Sequence, residues 1–300
     1  MIASYNKEPL ETVQAKNRLI NIFSTDGQNI DAEVVDAFGE EWIKFQHYSD
    51  EDIHSLAIMY FDILTDDIIN KNTYALDIGC GTGRWTKYLS NRIGFIEAID
   101  PSNAVLAADH LLAGVDNVRI TKAAVETIPF DDETFDFAMS IGVLHHIPDT
   151  QQAMADCVKK VKRGGYFYCY LYYNFDNKGF AFKTLFAISD LFRKLVSRMP
   201  SGLKRFSCDL LAVFFYMPFV LMARFFNIVG LKKFAKKIPL SDYANKSFFI
   251  IRNDCLDRFG TKLEQRFSRL QIEEMMKKSG LVNIKFGEGS PFWHAVGQRS

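Results

Sequence analysis

Three alternating glycines between two acidic residues are the most chemically informative feature of this 300-residue sequence. An apolar run that contains Asp77 is followed by the glycines Gly79, Gly81 and Gly83, and a second apolar run ends at Asp100. Glycines permit a tight turn and let a ligand approach the backbone closely, while a carboxylate can accept hydrogen bonds from both hydroxyls of a ribose. A helix beginning near Gly83 would point free N–H groups at the same ligand. The pattern predicts a nucleotide site at the carboxyl edge of a parallel sheet.

Apolar runs alternate with helical patterns on both sides of this turn, which is typical of an α/β fold. We predict strands over 74–79, 95–100, 118–121, 135–141, 166–173, 282–286 and 292–296. Between them we predict helices over 84–93, 102–113, 150–161 and 268–279, preceded by helices over 12–23, 31–45 and 53–69.

The segment 76–83, Leu-Asp-Ile-Gly-Cys-Gly-Thr-Gly, closely resembles motif I of the class I S-adenosylmethionine-dependent methyltransferases. A dinucleotide fingerprint would need a glycine where Arg84 stands. The resemblance implies a doubly wound, Rossmann-like sheet of seven mostly parallel strands that ends in an antiparallel pair, with an N-terminal helical cap. The break in the chain's own pattern adds a large helical insert between strands five and six. It also implies S-adenosylmethionine as cofactor, bound by these residues: Asp77, Gly79, Cys80, Gly81, Gly83, Asp100, Pro101, Ser102, Ala124, Val125 and Ile141.

The adenine side of the predicted cofactor site departs from the family pattern. The family often has an aspartate that bonds the adenine amino group where this chain has Ala124. We therefore expect backbone groups near Ala124 and Val125 to read the adenine, with Glu126 as a second candidate.

Two adjacent histidines follow the fourth predicted strand. The 140–143 segment, Ser-Ile-Gly-Val, lacks the Asn/Asp-Pro-Pro-Tyr that the resemblance associates with nucleobase N-methylation, and 144–149 is similar to small-molecule methyltransferases. Methyl transfer to a hydroxyl needs alignment and removal of a proton, and histidine is the natural base near neutral pH. His145 or His146 is the candidate catalytic residue; in the alternative, one packs and the other bonds the backbone. His47 and His294 are weaker candidates.

An aromatic segment near the N-terminus, Phe38-Gly39-Glu40-Glu41-Trp42, resembles one found in methyltransferases of bacterial sugar and natural-product pathways. An aromatic ring near a sulfonium is physically reasonable, because cations favour the π face. Trp42 could equally anchor the N-terminal helices in a core.

We divide the chain into an N-terminal helical cap over 1–72, a methyltransferase core over 73–173 and 268–300, and an insert over 174–267. The insert is too long for a loop and is expected to be helical. Its 176–240 stretch is rich in Phe and carries twelve Lys or Arg against three Asp. Three interpretations stay open: a lid over the substrate, a homodimer interface, or peripheral contact with a membrane.

Composition and charge limit the partners, the metal binding and the cellular location that we expect. The net charge is zero, which argues against nucleic acid as a partner. The five cysteines have no metal-ligand spacing, so we expect reduced thiols, no metal, and a location in the cytoplasm or at the inner face of the membrane. No signal region and no bilayer-spanning stretch is expected.

The sequence therefore predicts methyl transfer to a hydroxyl, with a carbon as second choice, of a small-molecule, sugar or lipid-linked acceptor. The competing hypothesis is a non-catalytic cofactor-binding or membrane-surface assembly protein with the same fold.

Overall fold

A computed structural model describes residues 2–44, 48–176 and 179–300 of the chain. They form two compact units, the first over 1–176 and 263–300 and the second over 177–262. The predicted 174–267 insert thus corresponds closely in position to the second unit.

The first unit is built on one nine-stranded sheet in the order β1-β2-β5-β4-β3-β6-β7-β9-β8. The five central strands, β5-β4-β3-β6-β7, are parallel to one another, and β9 pairs antiparallel with both β7 and β8. The strands are β1 Glu11–Gln14, β2 Leu19–Ile22, β3 Tyr74–Ile78, β4 Phe95–Asp100, β5 Val118–Lys122, β6 Phe135–Ile141, β7 Val161–Tyr170, β8 Leu281–Phe286 and β9 His294–Arg299.

Helices cover both faces of this sheet. They are α1 Ala32–Lys44, α2 Asp50–Tyr60, α3 Arg84–Ser90, α4 Ala104–Leu111, α5 Thr150–Lys159 and α11 Arg269–Lys278. Neighbouring residues of β6 point to opposite faces: Phe137 packs in one core with Leu89, and Ala138 packs in the other with Met154. The doubly wound, Rossmann-like architecture predicted from the sequence is confirmed.

The N-terminal segment differs from the prediction. The prediction of a helix over 12–23 is wrong, because β1 and β2 form an antiparallel hairpin there. β2 pairs in parallel with β5, joining Asn21 to Thr121, so the sheet has two strands beyond the seven expected. This pairing joins residues far apart in sequence, and a local pattern does not reveal it. The predicted helix over 53–69 ends earlier, at Tyr60.

The second unit is helical, with α6 Phe180–Val196, α7 Ser201–Leu211, α8 Met217–Ile228, α9 Lys232–Ala235 and α10 Phe248–Gly260. A π-helical turn over Ala212–Tyr216 joins α7 to α8 without a break. Arg252 forms an ion pair with Asp209 that links α10 to α7.

One helix of the described part, Gly202–Ile228, is long and apolar enough to cross a membrane by length and composition alone. The expectation that no such stretch exists is therefore wrong. Pro218 lies within this run, where a proline would ordinarily break a helix, but the wide turn just before it accommodates the missing N–H, so the helix continues.

Candidate active site

The glycine turn follows β3 directly. Gly79, Gly81 and Gly83 have φ of 75°, 54° and 77°, a region that glycine alone occupies without strain. The N–H groups of Gly79 and Cys80 both donate to the carbonyl of Ile99, at 2.8 and 2.9 Å. The turn is therefore fastened to the end of β4, which carries the acidic residue.

Two side chains from different elements contact the turn, and at Gly79 the contact leaves no room for a larger residue. A Cβ built on Gly79 would lie 2.4 Å from a methyl carbon of Val143, and one built on Gly81 would lie 3.4 Å from Nε1 of Trp42. The turn is thus lined by the loop after β6 on one side and by α1 on the other.

Asp100 lies at the end of β4 with its carboxylate directed into the turn. Oδ2 accepts the Gly81 N–H at 2.9 Å, and Oδ1 accepts the N–H and hydroxyl of Ser102 at 2.9 and 2.6 Å. Burial raises the pKa of Asp100, while these hydrogen bonds oppose the shift. Two carboxylate oxygens offer about four lone pairs, so Oδ2 retains acceptor capacity for a ribose hydroxyl, and Oδ1 gains it when the Ser102 hydroxyl turns away.

Asp77 and Cys80 lie beneath the same turn. Oδ2 of Asp77 accepts the Thr86 hydroxyl at 2.5 Å. Burial, followed by the nearby charge of Asp100, raises the pKa of Asp77 to about 7 despite this bond. Burial also raises the pKa of the Cys80 thiol well above its usual range. Cys80 therefore contributes a neutral thiol, whereas Asp77 is poised to ionise beside a cation.

The N–H groups predicted to face the ligand are largely occupied. Those of Gly79, Cys80 and Gly81 bond the end of β4, and that of Gly83 donates to the carbonyl of Cys80 at 2.8 Å. The turn therefore offers a ligand close backbone approach and the Asp100 carboxylate, rather than these donors.

Helix α1 contacts three parts of the site at once. A Cβ on Gly39 would lie 3.1 Å from Cβ of Ser102, so this glycine allows α1 to approach the end of β4. One turn along, Trp42 lies against Gly81. Phe38 packs on His146 with ring centroids 4.9 Å apart. α1 therefore connects the acidic end of β4, the glycine turn and the histidine pair.

Arg84 contacts three aromatic rings beside the turn. In the sequence it was notable only because it stands where a dinucleotide fingerprint would have a glycine. Its guanidinium lies 5.0 Å from the ring of Trp42, 5.1 Å from that of Tyr48 and 4.7 Å from that of Trp85. Its Nη1 also donates to the Tyr48 hydroxyl at 2.7 Å. The cation that stacks on Trp42 is therefore the guanidinium of Arg84 and not a sulfonium. The fold brings these two residues together although they are far apart in the sequence.

The adenine side is covered by the segment before α1. Ala124 is buried, and its N–H bonds the Thr127 hydroxyl at 3.1 Å. The carboxylate of Glu126 accepts the N–H of Asn29 at 3.1 Å, so it is engaged by the N-terminal segment. The amide of Asn29 donates to the carbonyl of Asp149 and accepts its N–H. No signal in the sequence singled out Asn29.

The two histidines have different environments. His145 is fully buried, stacks on Tyr172 at 3.9 Å, and has neither ring nitrogen hydrogen-bonded within the described part of the chain. Burial, with His146 and Arg266 nearby, lowers its pKa well below the usual range. His146 donates from Nδ1 to the carbonyl of Leu263 at 2.7 Å, which leaves the lone pair on Nε2.

The structure also places the weaker candidates. His294 lies in β9, buried, with Nε2 2.7 Å from Oδ1 of Asp62 and Nδ1 2.7 Å from the carbonyl of Pro291, so it ties the segment after α2 to the sheet. His47 lies outside the described residues. Pro101 is half-buried and Ile141 is buried at the end of β6. No group of three metal-ligating side chains occurs among the residues that the structure describes.

Sequence comparisons find similarity to methyltransferases. Residues 76–169 match the family model described as a methyltransferase domain. A demethylmenaquinone methyltransferase of Staphylococcus aureus is 33% identical over 112 residues, which cover 36% of this chain and 46% of the relative. The chain thus spans about half the length of the curated relatives it matches.

Two solved structures are also similar to the chain. A S-adenosylmethionine-dependent methyltransferase of Thermotoga maritima, described as a possible histamine N-methyltransferase, is 17% identical, with 87% of this chain and 94% of that chain covered and a TM-score of 0.45. The YcgJ protein of Bacillus subtilis is 16% identical, with 78% and 70% covered and a TM-score of 0.46.

The chain's own features fit S-adenosylmethionine. Gly79, Gly81 and Gly83 form a positive-φ turn that lets a ligand approach the backbone closely, and Asp100 is a buried carboxylate with acceptor capacity left for a ribose. Asp77 adds an acid that a sulfonium or ammonium group would favour in its ionised form. Residues 76–169 thus match a methyltransferase domain, and the residues around the glycine turn fit S-adenosylmethionine as its cofactor.

Proposed function

We propose that this protein transfers a methyl group from S-adenosylmethionine to a hydroxyl of a small-molecule or lipid-linked acceptor. The observation that carries the proposal is the contact of one helix, α1, with Ser102, with Gly81 and with His146. In this proposal, one helix contacts the residues assigned to the ribose, the glycine turn assigned to the donor and the basic side chain. Bound S-adenosylmethionine supplies an activated methyl group.

His146 acts as the general base in this proposal. Its Nδ1–H donates to the Leu263 carbonyl, which fixes the tautomer and places the basic lone pair on Nε2. His145 is a positioning residue, because its imidazole is fully buried and stacks between His146 and Tyr172. Its lowered pKa makes it a weak base near neutral pH.

A second candidate acceptor comes from the relatives. Several curated relatives are named demethylmenaquinone methyltransferases, so a quinone of that type, methylated at carbon, is the alternative that merits direct testing. The apolar composition of the second unit supports an acceptor with a lipid-like part, in either case.

The experiment pairs two histidine variants. Purified protein is incubated with methyl-labelled S-adenosylmethionine and a lipid extract, products are identified by mass spectrometry, and kcat is then measured on the methylated acceptor. His146→Gln keeps a donor for the Leu263 carbonyl but removes the base, and we expect kcat to fall by about 100- to 10,000-fold. His145→Phe keeps the stacking on Tyr172, and we expect kcat to stay within about 10-fold of wild type.

Cofactor affinity measured by calorimetry should be unchanged in both variants. If His146→Gln retains full activity, the base assignment is wrong. Cofactor binding without turnover on any extract would support the non-catalytic alternative instead.

A further inference from the structure

The second unit leaves an unusually large amount of apolar surface exposed. Most of the exposed large hydrophobic side chains of the described chain belong to it, and several are more than half exposed. Those on the long helix Gly202–Ile228 include Phe206, Phe214, Leu221, Phe225 and Ile228, exposed by 59, 67, 53, 58 and 84%.

The opposite side of that helix is buried within the unit. Cys208, Ala212, Val220 and Ala223 are at most 1% exposed. Arg224, near the end of the helix, donates to the carbonyls of Ala244 and Lys246 at 2.8 Å. The helix is therefore one wall of a packed helical unit, with one apolar side satisfied and the other facing outward. Water-exposed helix sides normally carry polar residues.

Lysines surround the outer end of this surface. Residues 228–237, which we name the basic tip, combine exposed Ile228, Leu231 and Phe234 with four exposed lysines, Lys232, Lys233, Lys236 and Lys237. Between Asp209 and Asp242 the sequence has no acidic residue. The tip is consequently a concentrated positive charge beside apolar side chains, inside a chain whose net charge is zero.

We propose that the basic tip and the exposed side of Gly202–Ile228 dock peripherally on an anionic lipid bilayer. Apolar side chains such as Phe234 and Ile228 enter the headgroup region, and the four lysines pair with anionic headgroups. The apolar side chains suit the lipid part of an anionic membrane surface, and the lysines suit its negatively charged headgroups. The proposal holds whatever the acceptor of the methyl group is.

A second copy of the chain fits this surface less well. Joining two such tips would bring lysines against lysines, with no acidic residue between Asp209 and Asp242 to compensate. A spanning arrangement would require the small residues of the buried side to leave their packing against the rest of the unit. Peripheral docking keeps the unit folded as it is.

The test is flotation of the full-length protein with vesicles of phosphatidylcholine alone or of phosphatidylcholine with phosphatidylglycerol. We expect binding only to the anionic vesicles, reversed by high salt. At about 1 kcal/mol for each basic residue near the surface, K232Q/K233Q/K236Q/K237Q should weaken partitioning several hundred-fold. Ile228→Ser with Phe234→Ser should also release the protein, with its charge intact.

The matched control, K16Q/K162Q/K277Q/K278Q, removes the same charge from exposed lysines of the first unit and should bind like wild type. Equal binding to both vesicle types, or unchanged binding of the tip variant, would overturn the proposal. So would a dimer in light scattering that Phe234→Ser dissolves, or membrane association that resists alkaline carbonate.

Discussion

The two units of this protein use apolar residues in opposite ways. In the first unit, Phe130, Phe135, Phe137 and Phe167 are fully buried against the sheet. In the second, Phe192, Phe206, Phe214 and Phe225 are each more than half exposed. The comparison shows that phenylalanine content alone does not define a core: the first unit stabilises a fold with these side chains, and the second presents them to its surroundings.

The largest expected difference between the units concerns stability. Phe137→Ala opens a cavity between two layers and should lower the free energy of unfolding by about 3–5 kcal/mol. Phe214→Ala, at a 67% exposed side chain, should change it by no more than about 0.5 kcal/mol. Urea unfolding is followed by tryptophan fluorescence for the first unit, where Trp42, Trp85 and Trp293 lie. It is also followed by far-UV circular dichroism, to which the helices of the second unit contribute. If both variants lost a comparable free energy of unfolding, the two units would not differ in how they use phenylalanine.

Cofactor affinity should depend on the first unit alone. Asp100→Ala removes a charged acceptor, and two charge-assisted hydrogen bonds at about 1.5–3 kcal/mol each correspond to at least a 100-fold loss of S-adenosylmethionine affinity. Calorimetry measures this directly, with unchanged tryptophan fluorescence as the check on folding. The four-lysine variant of the basic tip serves as control and should bind the cofactor like wild type. Retained affinity in Asp100→Ala would contradict the ribose assignment.

A smaller effect should appear in the pH dependence of the first unit. Because burial raises the pKa of Asp77 to about 7, the folded state holds a proton that the unfolded chain releases above its ordinary pKa of about 4. Stability should therefore fall as pH rises from about 4 to about 7, by at most about 1.4 kcal/mol per pH unit, and then level off.

Asp77→Asn cannot titrate and should flatten that slope while keeping an acceptor for Thr86. Urea unfolding at several pH values, followed by tryptophan fluorescence, measures the slope of the free energy of unfolding against pH. Asp66→Asn, at a side chain that is 94% exposed, is the control and should leave the slope unchanged. An equal slope in Asp77→Asn and wild type would show that another group is responsible.

The sheet and its glycine turn were predictable from the sequence because their signals are local. Gly79, Gly81 and Gly83 need positive φ, and apolar runs mark each central strand. The doubly wound, mostly parallel arrangement of those strands followed from the family resemblance. The residue contacts assigned to the cofactor stay predictions, to be tested by variants such as Asp100→Ala.

Features that depend on distant residues were not predictable in the same way. The hairpin of β1 and β2 exists because β2 meets β5, about a hundred residues away. The stacking of Arg84 on Trp42 and the clamp of Asn29 on Asp149 likewise join separate segments. The long helix was missed because the π-turn that precedes Pro218 has no recognisable local pattern.

The second unit begins and ends at one place on the first. Tyr173 and Phe267 form a parallel bridge, the N–H of Asn174 donates to the carbonyl of Phe267, and the carboxylate of Asp176 accepts the N–H of Arg269. A segment with adjacent ends can be lengthened, shortened or exchanged during evolution without disturbing the host sheet. Under the membrane docking proposed above, methyl-donor chemistry and the choice of membrane surface belong to separate units of the chain and can diversify independently.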